Sequence, residues 1–189
     1  MKKHTAAILG AAAVLAAGGF TARAVFQPTD AERMPEVAQA DLDAIDEAIV
    51  ALYDVISGPA GEERDWDRFR AMFTSTAHMG ACFTRPDGLV NSITMTPEEY
   101  IERSGQMLVQ IGFTERETHR VLEVYGSIAH AFSTYEGIGN ADAETPLEVA
   151  GVNSIQLIRT DDGWKVFSLI WNQASAEIPV PVRYTAQDK

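Results

Sequence analysis

Residues 151–173, GVNSIQLIRTDDGWKVFSLIWNQ, contain two apolar, strand-like runs on either side of a short polar turn. Apolar runs that flank an Asp-Gly pair, here Asp162-Gly163, are a strong local signal for a β-hairpin. In the second run neither alternating set is wholly polar: the two sets are Val166, Ser168, Ile170 and Asn172, and Phe167, Leu169 and Trp171. We therefore expect both faces of this strand to be covered, one by the core and the other by a partner.

Two helices are predicted early in the chain. The first runs from Asp41 to about Ser57, because apolar residues recur there at intervals of three and four: Ile45, Ile49, Leu52 and Ile56. The second is short and aromatic, with Trp66, Phe69 and Phe73 at helical spacing and Asp65 available as its cap. Both helices should contribute one apolar face to the core.

A third helix and a run of strands complete the pattern. Thr96-Pro97-Glu98-Glu99 has the N-cap Thr, first-turn Pro and third-position Glu of a capping box, and Gly112 can end this helix. An early strand is predicted at 76–84, and four long strands at 115–125, 127–137, 150–159 and 164–173. This order predicts an α+β domain in which a curved antiparallel sheet wraps over about three N-terminal helices.

Two segments of this pattern resemble a known superfamily. DWDRFRAMF at 65–73 stands before a strand, and GWKV at 163–166 enters the last one. Over residues 40–175 the chain resembles the nuclear transport factor two-like superfamily, which includes SnoaL-like domains. The resemblance implies a cone-shaped fold with a cavity between the concave sheet face and the helices. The superfamily includes ketosteroid isomerases, polyketide cyclases, dehydratases, dioxygenase small subunits and binders without catalytic activity, so the fold does not name a reaction.

The resemblance to ketosteroid isomerases also implies positions for reactive groups. The helix-one Tyr falls near Tyr53, the base near Ala81 and the second oxyanion donor near Asn153. Ala81 cannot accept a proton, so that chemistry would need His78, on the early strand, as a substitute base. A strand-end histidine bonded to backbone or water is the favoured alternative for His78. The side chains expected to line the cavity are Tyr53, Trp66, His78, His130, Tyr135, Asn153 and Trp171.

Neither a metal nor a cofactor is expected. The histidines His78, His119 and His130 lie on separate predicted strands and form no pair at ligand spacing. The glycine-containing stretch at 137–140 has neither the third glycine nor the following helix of a phosphate-binding loop. The single cysteine, Cys82, cannot form an intrachain disulfide, so the core alone must stabilise the domain.

The first 24 residues have the pattern of a secretory signal peptide. Lys2 and Lys3 precede an apolar run, and Ala22-Arg23-Ala24 has the small-x-small pattern at which signal peptidase cuts. Glycines interrupt this run, which makes it a weak membrane span and favours cleavage over an uncleaved anchor. We expect an exported protein, periplasmic or secreted, without membrane contact after cleavage. The expected parts are a signal peptide (1–24), a lead-in segment (25–40), the domain (41–175) and an extended tail (176–189).

Charge narrows the range of partners. The chain has 15 basic and 27 acidic residues, and the signal peptide holds three of the basic residues and no acidic one. The mature chain would keep 12 basic residues against 27 acidic ones, a net charge of −15. Such a charge repels phosphate backbones, and no basic cluster offsets it, so nucleic acid is not an expected partner.

Three functions remain open from the sequence. The first is binding of a small, largely apolar ligand in the cavity, with no reaction assigned. The second is an enzyme of the isomerase, cyclase or dehydratase type that uses the same cavity. The third is a protein-interaction or dimerisation module whose cavity is filled by side chains. A homodimer through the outer sheet face is expected because that face is partly apolar.

Overall fold

The computed structural model describes residues 37–85 and 87–185. The predicted signal peptide, residues 25–36 of the predicted lead-in and the last four residues lie outside the described residues. The elements are, in order, α1 (Gln39–Ile56), α2 (Trp66–Ala71), β1 (Phe73–Thr84), β2 (Val90–Met95), α3 (Pro97–Tyr100), a π-helical segment (Ile101–Gly105), α4 (Gln106–Ile111), β3 (Phe113–Tyr125), β4 (Ile128–Gly139), β5 (Leu147–Thr160), β6 (Gly163–Gln173) and a 3-10 turn (Val182–Tyr184).

The strands form one sheet in the order β2-β1-β6-β5-β4-β3. The hairpins β3–β4, β4–β5 and β5–β6 are antiparallel, whereas β1 pairs with β6 in parallel. The predicted α+β class with helices packed on a curved sheet is confirmed. The sheet is mixed, however, because the chain reaches β1 before the helices α3 and α4 and returns to pair with it only at β6.

Helix α1 packs its predicted apolar face against the inner face of the sheet. Ile45, Ile49, Leu52 and Ile56 are all buried, with 9% or less of each residue exposed. Near the start of the helix, Asp41 accepts a hydrogen bond of 3.1 Å from the indole N–H of Trp164. Trp164 is the first inward residue of β6, so this bond ties the beginning of α1 to the last hairpin and satisfies a buried indole.

The third predicted helix is present, with its capping box, and it is irregular. The Thr96 side chain accepts from the Glu99 N–H, and Glu99 accepts in return from the Thr96 N–H. α3 then continues through the π-helical segment into α4, and Gly112, at φ 64°, ends the helix in left-handed backbone. A π-helical turn often marks a functional site, because it changes which side chains share a face.

A bulge at Phe167 corrects the predicted faces of β6. Gln156 pairs with Ser168 while Leu157 pairs with Val166, so Phe167 is an extra residue. Val166 consequently shares the inner face with Leu169, and both are buried. The sequence pattern groups Val166 with Ser168 instead, because a strict two-residue period assumes an uninterrupted strand.

Two further features differ from the sequence-based expectation. Strand β2 is absent from the predicted elements, since most of its residues are exposed and leave no apolar alternation. The described part of the tail, residues 176–185, is not wholly extended: it contains the 3-10 turn and lies against the outer face of the sheet, where the Tyr184 ring stacks on Phe132 at 5.2 Å. The Thr134 hydroxyl also donates to the Tyr184 carbonyl oxygen over 2.5 Å.

The loop between α1 and α2 is held by a buried arginine. The Arg64 guanidinium donates to the carbonyl oxygens of Ile56 and Leu108, both at 3.1 Å, and to that of Gly58 at 2.6 Å. It also donates to the carbonyl oxygens of two neighbouring loop residues, at positions 59 and 62. Because Ile56 ends α1 and Leu108 lies in α4, Arg64 fixes the spacing of two helices that border the pocket described below.

Candidate functional site

A pocket of about 220 Å³ lies between the inner face of the sheet and the helices α1, α3 and α4. Most of its lining is apolar: Leu52, Ile56, Phe69, Met79, Met107, Leu108, Phe113, Leu147, Val149, Ile155, Leu169 and Trp171. Met107 and Leu147, 45% and 44% exposed, mark the side at which the pocket meets solvent. Such a lining favours a molecule that buries mainly apolar surface.

The most unusual group in the pocket is the Glu115 carboxyl on β3. Its strand position, two residues after the buried Phe113, turns it toward the inner face. Within the described residues its side chain has no hydrogen-bond partner, and burial raises its pKa to about 7. At neutral pH the carboxyl is therefore divided between a form that donates a hydrogen bond and a form that accepts a proton.

Two phenols accompany Glu115 in the pocket wall. Burial raises the pKa of Tyr100, and the nearby negative charge of Glu115 raises it further. The pKa of Tyr135 is raised by burial first, and then by the same charge and by Tyr53. Both phenols keep their protons at neutral pH, and within the described residues neither hydroxyl has a side-chain partner. They offer two O–H donors to a bound molecule.

Tyr135 has room for its hydroxyl because its cross-strand neighbour is a glycine. Tyr135 on β4 pairs with Gly151 on β5. A Cβ at position 151 would lie 2.6 Å from the Tyr135 Oη, well inside contact distance. The missing side chain therefore lets the phenol lie across β5 and reach the pocket.

A second polar cluster joins the pocket to the sheet edge. The Asn153 Nδ2 donates to the Tyr53 Oη at 3.0 Å, and the Tyr53 Oη lies 2.5 Å from the Ser133 Oγ. Ser133 donates to the Glu117 carboxylate, which also accepts two bonds from Arg120, of 2.8 and 2.5 Å. Tyr53 and Asn153 line the pocket, while Ser133 is fully buried behind them. Burial raises the pKa of Tyr53 to about 12, so its hydroxyl stays protonated.

The structure brings four of the seven expected cavity residues together in the pocket wall: Tyr53, Tyr135, Asn153 and Trp171. The other three lie elsewhere. Trp66 borders a separate pocket and packs beside Gly105 of the π-helical segment. His130 belongs to the outer face of β4, where its Nε2 lies 3.0 Å from the Ser154 Oγ.

His78 is the catalytic candidate from the sequence, and the structure corrects that expectation. It pairs in parallel with Ser168 and is exposed on the outer face, whereas its neighbours Ala77 and Met79 are buried. Side chains alternate along a strand, so the burial of Met79 on the inner face directs His78 outward. Ala81, in register with Trp171, supplies no acid or base, so β1 carries no proton acceptor facing the pocket.

Glu115 and Tyr100 line the pocket but are not among the site residues predicted from the sequence. The pattern places Glu115 only at the start of a predicted strand, and Tyr100 only within the predicted third helix. The available signal for Glu115 is its two-residue spacing from the apolar Phe113, which puts a carboxyl on the inward face.

No group of three or more metal-binding side chains occurs among residues 37–85 and 87–185. Nor does any helix in this part of the chain have the length and apolarity needed to cross a membrane.

The pocket belongs to a fold that solved structures share. A nuclear transport factor two-like protein with a cystatin-like fold from Novosphingobium aromaticivorans matches with a TM-score of 0.54 at 15% identity, over 74% of this chain and 87% of that one. A protein of the same family from Streptomyces avermitilis, provisionally described as a dehydratase, matches with a TM-score of 0.52 at 16% identity, over 73% and 99%. A protein of unknown function with a cystatin-like fold from Nostoc punctiforme matches with a TM-score of 0.56 at 12% identity, over 75% of this chain and 96% of that one.

These likenesses show that the chain has the nuclear transport factor two-like fold, which confirms the resemblance inferred from residues 40–175. Identities of this size carry the fold and not the activity. No family model matches the sequence, and no curated protein matches it either.

Proposed function

We propose that the protein binds a small, largely apolar molecule in the pocket between the sheet and the helices. The observation that supports this most directly is an apolar lining interrupted by hydroxyl and carboxyl groups that have no partner among the described residues: Tyr100, Tyr135 and Glu115. Among the described residues the only fully buried side-chain polar atom without a partner is Thr74 Oγ1, so the polar atoms of Tyr100, Tyr135 and Glu115 reach the open space of the pocket. A molecule bound there would give them hydrogen-bond partners. The apolar lining provides affinity, and the polar groups fix orientation.

Titration with 2-naphthol tests the proposal, because this probe combines an apolar body with one hydroxyl. We expect saturable binding that quenches or shifts the fluorescence of Trp171. Leu147→Trp should block the exposed side of the pocket and abolish binding. Leu89→Trp, at a residue 61% exposed and absent from the pocket lining, is the matched control and should bind as the wild type does. Equal binding by both variants would contradict the proposal.

A second candidate is acid–base catalysis in the same pocket, and Glu115 favours it. A base with a pKa of about 7 is suited to proton transfer at neutral pH. In this chemistry the Glu115 carboxylate takes a proton from the carbon beside a carbonyl group. The electrons of the C–H bond form the C=C bond of an enolate, whose oxygen accepts a hydrogen bond from Tyr100 or Tyr135. Return of the proton to carbon completes an isomerisation or an exchange.

Deuterium exchange of the α-protons of 2-tetralone, followed by NMR, measures this activity directly. The wild type should accelerate exchange, and Glu115→Gln should remove the acceleration. Glu123→Gln, at an exposed residue of the same strand, is the control and should exchange as the wild type does. If the Glu115→Gln variant exchanged as fast as the wild type, the catalytic candidate would be rejected while ligand binding still stood.

We also propose that the protein forms a homodimer through the outer sheet face. Support comes from exposed apolar side chains on β3, β4 and β6: Val121, Tyr125, Ile128, Phe167 and Ile170. Sedimentation equilibrium should give a dimer at micromolar concentration, and Ile170→Asp should shift it to monomer. Leu89→Asp, outside that face, should leave it dimeric. A monomeric wild type would remove the proposal.

Export is the remaining proposal, and it is supported by the basic, apolar and small-x-small order of residues 1–24. The chain expressed with its own N-terminus in a bacterial host should be recovered from the periplasm or the medium. N-terminal sequencing should then begin at Val25. A cytoplasmic product beginning at Met1 would contradict export.

A further inference from the structure

The hydrogen-bond chain from Asn153 to Glu117 has a fixed direction. Its far end is a carboxylate held by a guanidinium: both oxygens of Glu117 accept from Arg120, which also contacts Asp46 at 2.9 Å. An ionised carboxylate accepts hydrogen bonds and does not donate them. The bond between Ser133 and Glu117 must therefore use the single hydroxyl hydrogen of Ser133.

The direction of this bond determines the directions of the next two hydrogen bonds toward the pocket. Because the Ser133 hydrogen is directed to Glu117, the short contact between Ser133 and Tyr53 requires Tyr53 to donate. The phenol has one hydrogen, so its oxygen must accept in the next contact, from Asn153. Only the NH₂ end of the Asn153 amide can donate, so the hydrogen-bond chain determines the orientation of this amide.

The amide oxygen of Asn153 is left to face the pocket. Asn153 is only 7% exposed and lines the pocket, and within the described residues its Oδ1 has no hydrogen-bond partner. The resemblance to ketosteroid isomerases suggested Tyr53 as a hydrogen-bond donor to a ligand. Its only hydroxyl hydrogen is directed to Ser133, so Tyr53 cannot act as that donor. The pocket thus combines an acceptor at Asn153 with the donor hydroxyls of Tyr100 and Tyr135.

Resting on the proposed ligand binding, we infer that the Asn153 carbonyl oxygen selects ligands that carry a hydroxyl or N–H group, and that Glu117 and Arg120 set this preference as positioning residues. The two ends of the hydrogen-bond chain are separated by two buried hydroxyls, so the ion pair at the sheet edge controls the ligand class without touching the ligand. A ligand with an ether or ketone at this position would face the amide oxygen with another acceptor.

The test compares 2-naphthol with 2-methoxynaphthalene, which share an apolar body and differ in one donor. Calorimetry at pH 5.5 keeps the Glu115 carboxyl protonated, so that its carboxylate does not compete as an acceptor. The wild type should bind 2-naphthol about threefold to tenfold more tightly, the range expected for one net hydrogen bond. In Asn153→Leu the ratio should fall to about one, with binding of 2-methoxynaphthalene retained.

The positioning role is tested by replacing the ion pair as a unit, so that neither Glu117 nor Arg120 is left as a largely buried charge without the other. Asp46 also loses its contact with Arg120, but its side chain is 64% exposed and keeps its contact with water. In Glu117→Leu/Arg120→Leu the terminal acceptor is lost, Ser133 and Tyr53 can reverse, and the ratio should fall toward one. The control is an ion pair between β3 and β4 that is exposed to solvent. Arg116→Leu/Glu136→Leu removes this pair, whose charged atoms lie 2.6 Å apart, and should keep the wild-type ratio.

The outcomes separate the two proposals. If the wild type binds neither probe, the proposed ligand binding fails, and this inference fails with it. If the wild type binds both probes equally, or if Asn153→Leu keeps the wild-type ratio, ligand binding stands and the inference is overturned. Should Asn153→Leu not fold, the double Leu variant decides the matter, since an unchanged ratio there would reject the positioning role of Glu117 and Arg120.

Discussion

Replacing Glu115 with glutamine should change how the stability of the protein depends on pH. Burial raises the pKa of Glu115 from 4.5 to about 7, so the folded state holds this proton more tightly than the unfolded chain does. The stability that the folded state gains by holding this proton is therefore fully present below about pH 4.5, and it is lost as the pH rises to about 7. At about 1.36 kcal/mol for each pH unit between the two values, ionising Glu115 costs the folded state about 3 kcal/mol.

Urea unfolding of the wild type and of Glu115→Gln, measured from pH 4 to pH 8, gives the comparison. The glutamine has no charge to bury, so the variant should gain up to about 3 kcal/mol on the wild type across this range. Glu123→Gln, exposed on the same strand, should follow the wild type. Parallel stability curves for the wild type and Glu115→Gln would refute the argument that Glu115 is desolvated in the pocket.

Three further changes test the surroundings of the pocket. Arg64→Met should lower the free energy of unfolding by roughly 3 kcal/mol or more, because several buried carbonyl oxygens lose their donor. Arg68→Met is the control: this side chain is 45% exposed, so its loss should cost less than about 1 kcal/mol. Chemical denaturation measures both changes. Gly151→Ala should cost about 1–3 kcal/mol by overpacking, because the added Cβ would meet both the Asn172 carbonyl oxygen and the Tyr135 hydroxyl; a crystal structure of the variant should show Tyr135 displaced and β5 shifted from β6. Thr96→Ala should cost about 1 kcal/mol in thermal unfolding through loss of the capping box, and an unchanged melting temperature would show that the cap is dispensable.

The parts of the fold that were predictable are those with local causes. The α1 face, the Thr96 capping box and the hairpin around Gly163 each follow from residues a few positions apart, and each is present. The parallel pairing of β1 with β6 was not predictable in the same way, because the two strands are separated by most of the domain. The bulge at Phe167 was missed because one extra residue reverses the alternation without leaving a compositional mark.

The site was predictable only in part, for a related reason. Tyr53 and Asn153 were singled out because a resemblance gave their positions, and they meet in one hydrogen bond. Glu115 has no local motif: burial in the pocket raises its pKa, and much of the pocket lining comes from α1 and from β5 and β6, which lie far away in the sequence. His78 was misplaced because its side of β1 depends on the register with β6, which the sequence of β1 alone does not contain.

The π-helical segment between α3 and α4 determines which side chains of this helix face the pocket. Tyr100, Ser104 and Leu108 all line the pocket and are spaced four residues apart. On a regular α-helix, side chains at that spacing drift around the axis by about 40° at each step. The slower winding over Ile101–Gly105 offsets this drift and keeps the three on one side. Gaining or losing a single residue here would rotate Leu108 against Tyr100, so changes of chain length in this helix would reshape the pocket while leaving the sheet intact.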